Sequence, residues 1–274
     1  MAKRFGIEIE FTGITRLMTV RALETLFQTE AIQLESSVVD SPYLYHKVAD
    51  PTGLLWSVVR DRSITSEFFP YNAPDDLVTN PPISLSGTII EDLEEYKVEV
   101  VSPVLTLSDM PILLRVLNVL KDLGGVVNNT TGIHIHIDAP ESPLELLDIL
   151  RRFCEIQDSL VSEFNIADYR LNGYCKLYPI NFVTALSNTD INGRMYTIHD
   201  VYYFYLAHLR KGVTERHPHP ERYYALNLAS LEKLNTIEFR FFNSSLDGEV
   251  VEQILDWVMQ FSYGLEPLRA VSSF

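Results

Sequence analysis

The sequence predicts an α+β fold in which a mainly antiparallel β-sheet carries helices on one face and leaves its other face open. Short segments alternate apolar and polar residues, which is typical of strands that bury only one face. Amphipathic helical patterns lie between these segments, so helices are available to cover the apolar face. No linker-like change of composition divides the chain, and we expect a single domain over residues 1–274.

Five segments carry the alternating pattern of strands. In the first of them, four apolar side chains alternate with a glycine and two glutamates. The predicted strands are 5–11, 55–60, 97–101, 132–138 and 236–242. No glycine-rich loop follows any of these strands, so the sequence does not favour a Rossmann or P-loop nucleotide site.

Helical periodicity and capping residues predict five helices. They are 15–29, 107–123, 143 to about 164, 197–211 and 248–261. Ser108 is the expected N-cap of the second helix, which Gly124 and Gly125 end. Ser142 is the expected N-cap of the third, with Pro143 at its first position.

Composition narrows the partners that we expect. The formal net charge of −15 repels phosphate backbones, so nucleic acid is not an expected partner. No stretch is long and apolar enough to span a bilayer, so no membrane partner is expected either. The chain has two cysteines without a CxxC motif, and its N-terminus lacks an apolar signal-like segment. We therefore expect a cytoplasmic protein.

Two predicted strands carry paired potential ligands. Period-two geometry places Glu8 and Glu10 on one face of the first strand, and His134 and His136 on one face of the fourth. A glutamate pair alone is equally typical of a solvated strand. Two histidines backed by three isoleucines favour a functional site, because neutral imidazoles bind metals and donate to phosphates.

The remaining candidates are weaker when taken singly. Glu238 and Arg240 share one face of the last strand, which a cross-strand salt bridge would also explain. In a functional interpretation Glu238 binds a metal and the guanidinium of Arg240 binds a phosphoryl group. Glu99 alternates with valines, and Asp61 ends a strand pattern where a turn residue would also fit.

If these strands form one sheet, their polar side chains meet on its open face. The expected cluster consists of Glu8, Glu10, Glu99, His134 and Glu238. Carboxylates at such short range raise one another's pKa unless bound cations neutralise them. A site rich in oxygen ligands favours Mg²⁺ or Mn²⁺, and the added imidazole is better tolerated by Mn²⁺.

Five segments, taken in order, resemble the amidoligase family of the carboxylate–amine ligase superfamily, to which glutamine synthetase and glutamate–cysteine ligase belong. They are FGIEIEF (5–11), WSVVRDRS (56–63), VEVVSPVL (98–105), TGIHIHID (131–138), and RYYALNL with NTIEFRFFNSSLDGEVVEQILDW (222–257). Each is short, but their order over nearly the whole chain is specific. The resemblance implies a curved, glutamine synthetase-like sheet whose concave face holds ATP and metals, with helices packed behind.

The resemblance also implies that the metal ligands serve different metal ions. Glu10, Glu99 and Glu238 are similar to ligands of metals at the reaction centre. Glu8 and His134 are similar to residues that hold a metal against the nucleotide phosphates. The implied cofactors are therefore ATP and Mg²⁺ or Mn²⁺.

Further roles follow from the same motifs. His136 would contact a phosphate, and Arg240 would steady the transferring phosphoryl group. Arg222 and Asn227 resemble a pair that faces substrate or nucleotide. Asp61 would help to hold a metal or the incoming amine.

The implied reaction has two steps. A substrate carboxylate attacks the γ-phosphorus of ATP to form an acyl phosphate, and an amine then displaces phosphate. Asp61 and Glu99 are candidates for the base that accepts the amine proton. The acid and the amine could be small molecules or peptides, and neither they nor the oligomeric state can be read from the sequence.

One position departs from the family pattern. The family usually has glycine between the aspartate and serine of the WSVVRDRS segment, where this chain has Arg62. A larger residue is expected to alter the turn that carries Asp61 and Ser63. The other motifs are unaffected.

Three other functions stay open at this point. The histidines and carboxylates could instead bind Zn²⁺ or Mn²⁺ and activate water in a hydrolase. A guanidino kinase, which shares the sheet of the superfamily, would phosphorylate its substrate without forming an amide. The chain could also be a non-catalytic ATP-binding module on the same fold. Residues 217–220, with alternating His and Pro, are expected to form a surface loop and to act as a lid rather than a metal site.

Overall fold

The computed structural model describes residues 2–34, 45–66, 94–188, 197–210 and 219–264. Its strands form one open nine-stranded sheet in the order β2-β3-β4-β5-β1-β7-β9-β8, with β6 paired to β1. They are β1 (Arg4–Phe11), β2 (Ile32–Leu34), β3 (Tyr45–Ala49), β4 (Leu55–Val59), β5 (Val98–Val101), β6 (Leu105–Thr106), β7 (Gly132–Asp138), β8 (Leu226–Asn227) and β9 (Thr236–Asn243). Each of these strand pairs is antiparallel, which confirms the predicted α+β class.

The five predicted helices are present, and shorter ones accompany them. The α-helices of the described residues are α1 (Arg16–Phe27), α2 (Met110–Asp122), α3 (Pro143–Glu163), α4 (Asp168–Gly173), α5 (Ile180–Ser187), α6 (Ile198–Leu209), α7 (Leu231–Leu234) and α8 (Gly248–Tyr263). The sequence did not predict α4, α5 or α7. None of the helices in the described ranges has the length and apolar character to cross a membrane.

Of the two predicted N-caps, the structure confirms Ser142 and contradicts Ser108. Ser142 Oγ accepts a hydrogen bond from Leu144 N at 3.2 Å, and Pro143 is the first residue of α3. The prediction that Ser108 caps α2 was wrong. The backbone N–H of Thr106 instead donates to the Asp109 carboxylate at 2.8 Å, which closes a capping box around a 3₁₀ turn that precedes the helix.

The apolar face of the sheet is covered by α1, α2, α3 and α8, whose buried side chains belong to one core. Aromatic rings mark this contact. Phe153 of α3 and Trp257 of α8 pack against Phe239 of β9, with ring centroids 6.3 Å and 6.1 Å apart. The helices thus leave the polar side chains of the central strands on the opposite face.

A β-bulge interrupts the last strand. Between β7 and β9 the register changes from Ile135–Phe239 to Ile133–Phe242, so β9 contains one extra residue. The strict alternation predicted for 236–242 therefore ends near Arg240. Both of the next two residues, Phe241 and Phe242, are buried. Bulges re-aim side chains, and this one follows the arginine of the polar face.

Candidate active site

The antiparallel register places the predicted ligands opposite one another. On the adjacent strands β5, β1, β7 and β9, the opposed Cα pairs are Glu10 with Glu99, Glu8 with His134, and His136 with Glu238. Side chains on directly opposed residues are in contact range. The structure thus brings the predicted side chains together on one face.

Glu8 lies between the two histidines of β7. His134 Nδ1 is 2.9 Å from Glu8 Oε2, and His136 Nε2 is 3.3 Å from Glu8 Oε1. Burial raises the pKa of Glu8, but the imidazoles outweigh this effect and hold the pKa well below its ordinary value. For His136, burial lowers the pKa, and the Glu8 and Glu238 carboxylates raise it by more. Glu8 is therefore an anion at neutral pH.

Glu238 is held on both sides by buried donors. Arg240 Nη1 donates to Glu238 Oε1 at 2.6 Å, and Asn227 Nδ2 donates to Glu238 Oε2 at 2.6 Å. Burial raises the pKa of Glu238, but Arg240 and the histidines lower it by more. Arg240 Nε also donates to Tyr174 O at 3.1 Å, so the guanidinium has a fixed orientation.

Glu10 and Glu99 are the crowded carboxylates of the cluster. Gly132 N donates to Glu10 Oε2 at 2.6 Å, and Glu10 Oε1 lies 3.4 Å from His134 Nε2. Burial raises the pKa of Glu10, and burial with the neighbouring carboxylates raises that of Glu99 well above its ordinary value. Bound cations would relieve this crowding.

Within the described part of the chain, two overlapping groups have the ligands and spacing for a metal ion. One consists of Glu8, Glu99 and His134, and the other of Glu8, His136 and Glu238. The ligand atoms of each group lie within 4.8 Å of one another. Two carboxylates with one imidazole fit Mg²⁺ or Mn²⁺. The buried His136 Nε2 has no aligned hydrogen-bond partner among the described residues, so this nitrogen is available to a cation.

Two cavities open from the Glu8–His136 pair. The first has a volume of about 370 Å³, and its walls include Gly6, Val104 and Leu234. The second, of about 320 Å³, is lined mainly by polar side chains. Among these are His219, Arg222, Asn227, Lys233 and Arg240. A larger apolar groove of about 820 Å³ lies between α1 and α2 and includes no residue of the cluster.

The turn after β4 forms although Arg62 stands where the family usually has glycine. Asp61 Oδ1 accepts hydrogen bonds from Ser63 N at 2.5 Å and from Ser63 Oγ at 2.6 Å. Arg62 is exposed and is not among the described residues with positive φ, so the turn needs no glycine there. The charge of Asp61 contributes to the raised pKa of Glu10 and of Glu99, so this carboxylate lies within electrostatic range of the cluster.

Arg222 and Asn227 occupy different environments. Arg222 is exposed at the second cavity, with its guanidinium 5.9 Å from the Tyr223 ring. Asn227 is buried, and its Oδ1 accepts from Ala229 N at 2.8 Å while its Nδ2 binds Glu238. The amide of Asn227 thus supports Glu238.

The predicted lid is described only in part. His217 and Pro218 lie outside the described residues. His219 lines the second cavity, and its Nδ1 lies 3.2 Å from Glu221 Oε1.

Among the residues that the structure describes, two further side chains contact the cluster that the sequence did not predict. Thr236 Oγ1 lies 3.1 Å from His136 Nδ1. Thr236 is two residues before Glu238 in the same strand, and this spacing could have placed it on the polar face. The buried Arg170 lies 3.7 Å from Glu10 Oε2 and donates to Arg240 O at 2.8 Å. It belongs to a single-turn helix, where no periodic pattern could have revealed it.

A protein-family model matches the chain over residues 2–262, and its description is "Putative amidoligase enzyme". The matched range includes all five sequence motifs and every residue of the cluster. Neither a curated protein nor a solved structure matches the chain.

Proposed function

The chain belongs to the amidoligase family, and on this basis we propose that it uses ATP and divalent cations to join a carboxylate to an amine. The observation that carries the proposal is the pair of overlapping ligand groups around Glu8, beside Arg240. Phosphoryl transfer needs positioning and charge neutralisation more than covalent help from the protein. A cluster that combines carboxylates, imidazoles and a guanidinium supplies both.

Mg²⁺ or Mn²⁺ would be held by the two groups, with Glu8 shared between them. When bound, such cations neutralise phosphate oxygens and the charge that develops on the transferring group. Glu10 stays a proposed ligand through Oε1, because Oε2 accepts from the Gly132 amide. Bound cations would also lower the raised pKa of Glu99 and of Glu10.

The first cavity is suited to the base and ribose of the nucleotide. Its lining combines the apolar Pro103, Val104 and Leu234 with the polar pair Glu8 and His136. Nucleotide sites commonly pair apolar walls with a few convergent polar groups. The phosphates would then lie beside His136, and the more polar second cavity would take the phosphoryl group and substrate.

The chain's own side chains have distinct tasks in this proposal. Arg240 donates to the transferring phosphoryl group, where its planar fork fits the oxygens. Asn227 and Tyr174 O keep Glu238 and Arg240 oriented. Asp61 lies where a positively charged amine would be attracted, and Asp61 or Glu99 would accept its proton before it attacks the acyl phosphate.

The proposal is tested by calorimetric titration with AMP-PNP, a non-hydrolysable ATP analogue, with Mg²⁺, with Mn²⁺ and with EDTA. We expect binding with either cation and a loss of affinity of at least about 100-fold in EDTA, because the phosphates would face uncompensated carboxylates. Phosphate release with pools of carboxylates and amines then identifies substrates. Absence of binding in both cations would contradict the proposal, and turnover without ATP would favour a hydrolase.

A substitution that fills the first cavity should weaken nucleotide binding without changing cation binding. Gly6 lies on the polar face, and a Cβ built there would meet His136 Cβ at an ordinary 3.8 Å. Gly6→Val should therefore fold while its methyl groups occupy the space proposed for the nucleotide. We expect AMP-PNP affinity to fall by about tenfold or more, equivalent to about 1.4 kcal/mol, with Mn²⁺ affinity unchanged.

Ala22→Val is the control, because Ala22 lines the apolar groove between α1 and α2, which includes no residue of the cluster. It should bind AMP-PNP like the wild type. Equal affinities for Gly6→Val and Ala22→Val would place the nucleotide outside the first cavity. A parallel loss of Mn²⁺ affinity in Gly6→Val would instead indicate damage to the cluster.

A further inference from the structure

Arg170 is the most deeply buried charged side chain near the cluster, and it lines neither of the two cavities there. Only 1% of its surface is exposed. A buried charge is costly unless it is paired and hydrogen-bonded. Its contacts therefore indicate what the fold gains by enclosing it.

Those contacts join two parts of the candidate active site. Arg170 Nη1 lies 3.7 Å from Glu10 Oε2, and Arg170 Nη2 donates to Arg240 O at 2.8 Å. The second contact satisfies a backbone carbonyl next to the β9 bulge, where ladder pairing is disturbed. One guanidinium thus connects the carboxylate of β1 to the backbone that carries Arg240.

The space for this guanidinium is created by Gly132. A Cβ on Gly132 would lie 2.1 Å from Arg170 Nη2 and 2.2 Å from its Cζ. The Gly132 N–H donates at 2.6 Å to the same oxygen, Glu10 Oε2, that Arg170 approaches. Glu10 Oε2 is therefore held by two groups, while Oε1 points to His134 Nε2 at 3.4 Å.

The segment that carries Arg170 is itself fastened to β9. Ala167 N donates to Asn243 Oδ1 at 3.0 Å, and Asn243 Nδ2 donates to Asn165 O at 2.8 Å. Beyond α4, Tyr174 O accepts from Arg240 Nε at 3.1 Å. Residues 165–174 thus form a brace along β9, the strand that contains the bulge.

We propose that Arg170 is a positioning residue whose guanidinium, in the space above Gly132, fixes both the Glu10 carboxylate and the backbone of Arg240. It touches neither cavity and acts through these two residues. Its effect on cation binding rests on the proposed function. Its effect on Glu10 does not, because the Gly132–Glu10 hydrogen bond reports on Glu10 directly.

The test compares Arg170→Gln and Arg170→Lys with a matched control, Gln157→Leu. Gln157 is a buried polar residue whose amide bonds the backbone of Tyr178, outside the cluster. Two readouts are used. Hydrogen exchange of the Gly132 amide is followed by NMR with ¹⁵N-glycine labelling, which the 12 glycines make tractable. Mn²⁺ affinity is measured by titration.

In Arg170→Gln we expect the Gly132 amide to exchange at least about tenfold faster, since its hydrogen bond to Glu10 loosens. Mn²⁺ affinity should fall about 10–100-fold, as for other residues that orient metal ligands. Arg170→Lys keeps the positive charge but lacks the planar guanidinium. Its Gly132 exchange rate and its Mn²⁺ affinity should lie between those of Arg170→Gln and the wild type. Gln157→Leu should lose stability without changing either readout.

Unchanged exchange of Gly132 together with Mn²⁺ affinity within about threefold of wild type would overturn the proposal. An equal change of both readouts in Gln157→Leu would show a general loss of stability and also overturn it. If the wild type binds no Mn²⁺, the proposed cation site fails, and the Gly132 amide alone decides the role of Arg170. If Arg170→Gln does not fold, the same criteria apply to Arg170→Lys.

Discussion

Glu8→Gln should abolish cation-dependent nucleotide binding and turnover while leaving the fold intact. Glu8 is the one residue that belongs to both ligand groups, so its loss affects two cation positions at once. Glutamine keeps the shape and an acceptor for His134, but it removes the negative charge that a divalent cation requires. We expect AMP-PNP affinity in Mg²⁺ to fall at least about 100-fold, equivalent to about 2.7 kcal/mol.

The charge of Glu8 is present in the wild type at neutral pH. Its pKa lies well below the ordinary value because the His134 and His136 imidazoles outweigh the effect of burial. The variant therefore removes a full charge rather than a partly protonated group. Glu163→Gln, an identical substitution on the exposed face of α3, is the control and should bind like wild type.

Thermal unfolding must accompany the binding measurement. Loss of binding in Glu8→Gln with a cooperative, near-wild-type transition supports the assignment. Retained affinity and turnover in this variant would show that neither ligand group binds a catalytic cation, and the cluster would then be a structural charge network.

The polar cluster was predictable because alternation is a local property of the chain. Glu8 and Glu10, or His134 and His136, share a face whatever their strand pairs with, since successive side chains point in opposite directions. The observed bounds of β7, Gly132–Asp138, agree with the predicted ones for the same reason. That these faces meet follows from pairing between Glu8 and His134, which are 126 residues apart, and no local pattern contains that information.

The elements that the sequence did not predict are either too short to show a pattern or lack a periodic pattern of apolar residues. Strands β2, β6 and β8 contain two or three residues each, too few to show alternation. The β9 bulge cannot be read from a run of phenylalanines, because apolar side chains on both faces are equally compatible with a regular buried strand. Arg170 occupies one turn of helix, and its role depends on Glu10 and Arg240 from distant strands.

Arg240→Gln should leave nucleotide binding largely intact and reduce turnover by about 10³-fold or more, the range expected for an arginine that stabilises phosphoryl transfer. The guanidinium is buried and held by Glu238 and Tyr174 O, so it is oriented before the reaction begins. Donors fixed in this way act on charge that develops in the transition state and contribute little to ground-state affinity. Consequently kcat and kcat/KM should fall by similar factors, while AMP-PNP affinity changes by less than about tenfold.

Arg240→Lys separates charge from geometry, because lysine keeps the cation near Glu238 without the planar fork. If the fork matters, the lysine variant should bind AMP-PNP like wild type and remain at least about 100-fold slower in ADP release. Arg21→Gln removes an exposed guanidinium of α1 that pairs with Glu24, and it should change neither quantity. Turnover of Arg240→Gln near the wild-type rate would exclude Arg240 from phosphoryl transfer and leave it only the task of neutralising Glu238. A loss of AMP-PNP affinity as large as the loss of rate would place its contribution in the ground state instead.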